Sequence, residues 1–202
     1  MTLFDTPVVR PLMRWLALAY CWLGGWRILR ETPDARKYVI IAAPHTSNWD
    51  FIYTLACALI LRIRPRIMMK DAWFRRPLGP VFRWLGAVPI DRSQAHGVVA
   101  QSIEAFKRKD EFLLVVPPSG TRRKVRYWKT GFYRIADGAG VPIALGFLDY
   151  RRKVAGFGPM FQTTGDMAAD MVAIQHFYSD ITGKYPRKMQ SWSPAEQPPA
   201  IS

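Results

Sequence analysis

Apolar residues follow two rhythms along this chain. Runs such as Tyr38-Val39-Ile40-Ile41-Ala42-Ala43 and Phe112-Leu113-Leu114-Val115-Val116 are apolar without interruption, the pattern of strands covered on both faces. Between them lie longer segments whose apolar positions recur three or four residues apart, the period of a helix with one face buried. The first rhythm predicts strands at residues 38–43, 66–69, 87–90, 111–116 and 142–148, with a hairpin strand at 152–156. The second predicts helices at 50–63, 77–85, 97–107, 129–137 and 166–179. Strands separated by helices of this length call for an α/β fold, a mostly parallel or mixed central sheet flanked by helices.

Both ends break this pattern. From Trp15 to Trp26 the chain is apolar throughout, and Arg10, Arg14, Arg27 and Arg30 flank the run. It is too short to span a bilayer core, which takes about twenty residues. Three tryptophans and basic flanks suit a short amphipathic helix lying among lipid headgroups, with an ordinary core-packing helix as the competing reading. A signal peptide fits less well, because tryptophans and glycines continue where a cleavage site belongs. The expected organisation is an interfacial helical segment over 1–34, an α/β domain over 35–185 and a polar, proline-rich tail over 186–202.

Composition narrows the partners. With 202 residues, one domain with a true core is expected. Twenty-nine Lys and Arg against 15 Asp and Glu give a net charge of +14, which favours acidic partners. Nucleic acid is not expected among them, since the arginines are spread among Trp, Leu and Phe and no zinc-finger or RNA-binding signature occurs. Membrane lipids and acidic carriers fit better. Cys21 and Cys57 lie inside apolar runs, so they read as packed thiols rather than a disulfide or metal pair. Such cysteine usage is compatible with a cytoplasmic setting.

Chemistry is most concentrated in Ala43-Pro44-His45-Thr46-Ser47-Asn48-Trp49-Asp50, where a predicted strand gives way to a predicted helix. An imidazole whose second nitrogen is held by a carboxylate can take a proton from a hydroxyl. The plainer alternative makes Asp50 a helix N-terminal charge and His45 a loop residue. Two further strand ends carry arginines, Arg92 after Gly86–Ile90 and Arg122 within Pro117-Pro118-Ser119-Gly120-Thr121-Arg122. There, glycine permits close backbone approach, Thr121 donates a hydrogen bond, and a guanidinium fork suits phosphate. Each arginine alone also reads as a solvated loop charge. His96 and His176 read as structural or exposed. Trp73, Phe74, Phe82 and Trp84, interleaved with arginines, read either as a patch that contacts a membrane or, equally well, as one half of which packs in the core.

In their order these blocks resemble the glycerolipid acyltransferase family, best known from the lysophosphatidic acid (1-acylglycerol-3-phosphate) acyltransferases. His45-Thr46-Ser47-Asn48-Trp49-Asp50 resembles its H-x4-D block, Gly86 to Arg92 its second block, Ser119-Gly120-Thr121-Arg122 its Glu-Gly-Thr-Arg block, and Val141-Pro142-Ile143 its final Val-Pro-Ile block. The resemblance covers roughly residues 38–150. It implies a peripheral O-acyltransferase on the cytoplasmic face of a membrane, with no cofactor. His45 would be the general base and Asp50 its orienting partner; Arg92, Ser119, Gly120, Thr121 and Arg122 would bind the acceptor. The donor would be an acyl-carrier-protein or acyl-coenzyme A thioester, and the acceptor a lysophospholipid-like alcohol. Ser119 departs from the family's glutamate, which leaves the acceptor open and raises a second reading, a catalytically altered lipid-binding protein of the same fold.

Overall fold

A computed structural model of the chain describes residues 2–74, 77–90 and 95–189. Seven strands form one sheet: β1 (Arg27–Ile28), β2 (Lys37–Ala43), β3 (Pro65–Lys70), β4 (Ala87–Ile90), β5 (Phe112–Val116), β6 (Ile143–Asp149) and β7 (Val154–Phe161), in the order β1-β7-β6-β2-β5-β3-β4. Every neighbouring pair is parallel except β6 and β7, which run antiparallel. The helices are α1 (Val9–Leu23), α2 (Trp49–Leu61), α3 (Gly79–Trp84), α4 (Ala95–Arg108), α5 (Gly131–Ala139) and α6 (Met167–Tyr178).

The two faces of the sheet explain why its strands are apolar on both sides. Val39, Ile41, Ala43, Leu114, Ile143 and Leu145 point to a core shared with Phe106 of α4, Phe132 and Ile135 of α5, and Ile174 and Tyr178 of α6. The alternate residues Tyr38, Ile40, Leu113 and Val115 face Phe51 and Leu55 of α2. On its far side α2 meets α1, where Tyr53, Ala56, Leu59 and Ile60 pack with Ala17 and Cys21. Helix α2 is therefore covered twice, which is why it is apolar almost all round.

The predicted strands and helices are present, most of them with bounds shifted by a residue or two; the hairpin strand, predicted to end at 156, runs on to Phe161. Two differences lie near the N-terminus. Helix α1 ends at Leu23, because Gly24 caps it and Gly25 turns the chain through a left-handed conformation (φ +71°). Arg27–Ile28 then joins the sheet edge beside β7, a pairing the hydrophobic pattern does not announce. Leu3 and Phe4, in one turn of 3-10 helix, are buried, and the Arg14 guanidinium donates to the Ile60 carbonyl.

The outer face of α1 is unusual. Leu12, Trp15, Leu16, Trp22 and Leu23, with Val8 before them, fall on one stripe of the helix and are exposed, Trp15 to 68% and Trp22 to 78%. Among the described residues no helix is long and apolar enough to cross a membrane. In the aromatic patch of the β3–β4 crossover Phe74 is buried, Phe82 and Trp84 are half-buried and Trp73 is 46% exposed.

Candidate active site

Sheet register brings three chain segments to one place. Ile41 of β2 lies beside Val116 of β5 on one side and Leu145 of β6 on the other. The loops that follow these parallel strands therefore emerge together. Crossover α2 leaves β2 on one face of the sheet while α5, after β5, returns on the other. Such a divergence opens a crevice at the carboxyl ends of the strands, where open α/β sheets hold their ligands.

His45 and Asp50 meet in that crevice. The His45 Nδ1 lies 3.1 Å from Asp50 Oδ2; the carboxylate only accepts, so Nδ1 is the donor, and in the neutral ring the lone pair falls to Nε2. The same carboxylate oxygen accepts from the backbone N–H groups of Thr46 (2.8 Å) and Ser47 (2.9 Å). The other oxygen accepts from the Tyr150 hydroxyl at 2.8 Å. Asp50 is 3% exposed, whereas the His45 side chain keeps 23% of its surface. The loop carrying the pair is pinned in turn, since Thr46 is buried and its hydroxyl accepts from the Tyr185 N–H. Asp50 is thus both a first-turn helix charge and the imidazole's partner; the two sequence readings are compatible.

His45 stands at the wall of a cavity of about 530 Å³ between α2 and the sheet. Gly120, Thr121 and Arg122 line the same cavity with Lys70. Deeper, its walls are apolar, and small side chains open the space: Ala42, Ala58, Gly146 and Gly156 sit where larger residues would fill it. A Cβ on Gly146 would stand 2.8 Å from the Ile41 carbonyl oxygen, so the sheet admits none there. Cys57 also lines it, and burial holds its thiol well above the ordinary range, which makes it a packing group rather than a nucleophile.

These observations can be set beside known proteins. The Acyltransferase family pattern matches residues 28–144, more than half of the chain. The chain belongs to this acyltransferase family. A curated relative, 1-acyl-sn-glycerol-3-phosphate acyltransferase of Escherichia coli K12, is 30% identical over 122 residues, 56% of this chain and 49% of that protein. The chain thus spans about half the length of that relative. Among solved structures, the 1-acyl-sn-glycerophosphate (LPA) acyltransferase PlsC of Thermotoga maritima has the same fold, with a TM-score of 0.55 at 15% identity over 84% of this chain and 76% of that one.

Within this acyltransferase fold the residues singled out by sequence separate into groups. His45, Asp50, Gly120, Thr121 and Arg122 come together around one cavity. Gly120 takes a left-handed conformation (φ +62°), and a side chain there would press on Lys129 at 3.3 Å. Ser119 lies off the main cavity. It shares a small recess with His45, Arg123 and Lys188, and its hydroxyl donates to the Thr121 carbonyl at 2.7 Å. Arg92 and the tail beyond Met189 lie outside the described residues. His176 is exposed. Tyr150 was not anticipated; it is 100 residues from its partner Asp50, beyond the reach of any spacing argument. Among the described residues no cluster of His, Cys, Asp or Glu is built to hold a metal.

Proposed function

We propose that this protein is a peripheral membrane O-acyltransferase that moves a fatty acyl chain from an acyl-carrier-protein or acyl-coenzyme A thioester to the hydroxyl of a lysophospholipid-like acceptor. The observation that carries this reading is the His45–Asp50 pair standing at the wall of a largely apolar cavity that Arg122 and Lys70 also line. An imidazole with Nδ1 committed to a carboxylate has only Nε2 to offer a substrate. In the proposed step Nε2 takes the acceptor's hydroxyl proton while that oxygen attacks the thioester carbonyl. The tetrahedral adduct then expels the thiolate, which takes the proton back from the imidazolium and leaves as a thiol. Asp50 stabilises the imidazolium formed between the two events. Apolar walls suit the acyl chain, and the guanidinium of Arg122 suits a phosphate on the acceptor or donor.

The likeness to 1-acyl-sn-glycerol-3-phosphate acyltransferase supports an acceptor of that type. Serine at position 119 argues against assuming the same acceptor. Ser119→Glu is expected to change the ranking of acceptors in a panel of lysolipids differing in headgroup charge, because it adds a carboxylate beside His45 and Arg123. An unchanged ranking would remove this position from acceptor choice. Thioester consumption by the native chain with any lysolipid decides against the alternative of a silent lipid-binding protein.

Docking on an anionic membrane surface is supported by the outward stripe of α1 and the charge of +14. Replacing Trp15 and Trp22 together by Ser is expected to weaken binding to phosphatidylglycerol-containing vesicles by about tenfold or more, given ~25 cal/mol per Å² of apolar surface buried. Vesicle co-sedimentation checks this. Unaltered binding would mean that α1 does not face the lipid.

A further inference from the structure

Asp50 carries more than the histidine. Of its two oxygens, Oδ2 is filled by His45 and two backbone amides, while Oδ1 is held by the Tyr150 hydroxyl. Without Tyr150 the Oδ1 oxygen would have no described partner, and the carboxylate would be held through Oδ2 alone. The tyrosine itself is firmly placed. It follows the last residue of β6, its N–H donates to the Thr182 carbonyl at 2.8 Å, and its ring stands edge-on to Trp26 (4.9 Å) and Tyr53 (5.8 Å). The neighbouring turn is fixed by Asp149, which accepts from the backbone N–H groups of Arg151 and Arg152 and from the Arg152 side chain.

We propose that Tyr150 is a positioning residue for acyl transfer, its O–H holding the second oxygen of Asp50 so that the carboxylate stays oriented on His45. The inference rests on the reading of His45 as general base. The direction of the donation is settled by chemistry: burial first, and the charge of Asp50 second, hold the phenol far above its ordinary value, so it remains the donor. A hydrogen bond drawn into Oδ1 lowers the negative potential that Asp50 presents to the imidazole. Losing it makes Asp50 a stronger partner for imidazolium. Other charged groups face this cluster: Lys184, whose Nζ is 5.7 Å from the Tyr150 ring; Arg122 and Lys70 on the cavity wall; Arg123 and Lys188 in the small recess. The titratable rings of Tyr20 and Tyr53 adjoin it as well. None of these changes when one hydroxyl is removed.

The test is Tyr150→Phe, which keeps the ring among Trp26 and Tyr53, compared with Tyr53→Phe, which removes a hydroxyl from the same aromatic cluster but none bonded to Asp50. Tyr150→Phe is expected to lower kcat about tenfold with KM unchanged, what one hydrogen bond to a charged group is worth. The acid limb of kcat/KM is expected to move to higher pH by about half a unit, and the His45 imidazole, titrated by NMR without substrate, to move with it. Tyr53→Phe is expected to move neither. An unchanged His45 titration and kcat in Tyr150→Phe would overturn the proposal, as would an equal shift in Tyr53→Phe. Because the NMR titration needs no turnover, the coupling of Tyr150 to the pair is read even if a His45→Ala enzyme remains active and the general-base reading itself falls.

Discussion

A His45→Ala enzyme is expected to keep its fold and lose acyl transfer by roughly 10²–10⁴-fold, the range a positioned general base contributes. Stability should change little. The imidazole is partly exposed on a cavity wall, and without it Asp50 still accepts from Thr46, Ser47 and Tyr150. The rate should fall because the other groups around the cavity are poorly placed to take a proton: Arg122 and Lys70 are cations, the Cys57 thiol is held protonated by burial, and the Asp50 carboxylate is engaged by Thr46, Ser47 and Tyr150. Release of free thiol from an acyl-coenzyme A donor, with a lysolipid acceptor in vesicles, measures the loss, and circular dichroism checks the fold. If a folded variant keeps more than a tenth of the native rate, imidazole is not the base and the proposed step is wrong.

How far sequence alone foretells such a site depends on how near in the chain its parts lie. The His45–Asp50 contact is legible because only four residues of loop and first helical turn separate them. Arg122 and Gly120 are legible in kind, as a glycine and a guanidinium after an apolar strand. Their presence beside His45 follows only from the pairing of β2 with β5, which no local pattern encodes. Tyr150 arrives by the pairing of β2 with β6 in the same way. The cavity was invisible for another reason. It exists because Ala42, Ala58, Gly146 and Gly156 fall where α2 crosses the sheet, and small residues in an apolar run read as filler until the facing element is known.

The fold shows the same division. Strands β2 and β5 are plain in the sequence because burial on both faces demands unbroken apolar runs. Strand β1 is two residues long and is defined only by β7, well over a hundred positions later. Its pairing brings the chain between α1 and β2 onto the sheet, and Trp26, just before it, stacks on Tyr53 and meets Tyr150 edge-on. Tyr53 in turn meets Tyr20 of α1 at 5.3 Å. A helix that reads from its sequence as a surface anchor is thus joined by four rings to the carboxylate of the proposed catalytic pair.

That junction makes Asp50 the position where structure and chemistry can be pulled apart. Asp50→Ala is expected to destabilise the protein by about 3 kcal/mol, because it strands the amides of Thr46 and Ser47 and the Tyr150 hydroxyl in a buried site, each at a cost of ~1–3 kcal/mol that water entering from the cavity partly relieves. For a chain of this size that corresponds to a fall in Tm of roughly 10 °C. Asp50→Asn should fare much better. Its amide oxygen can still accept from both backbone N–H groups, and its NH₂ can donate to Tyr150, so its Tm should stay within a few degrees of native. Yet the amide carries no charge to stabilise imidazolium, and transfer should fall by about 10²-fold or more. Thermal unfolding and thioester assays on the two variants therefore separate the roles: one is unstable, the other stable and slow. An Asp50→Ala protein as stable as the native one would mean that the buried carboxylate does not anchor this loop. A fully active Asp50→Asn enzyme would mean that His45 works without its charge.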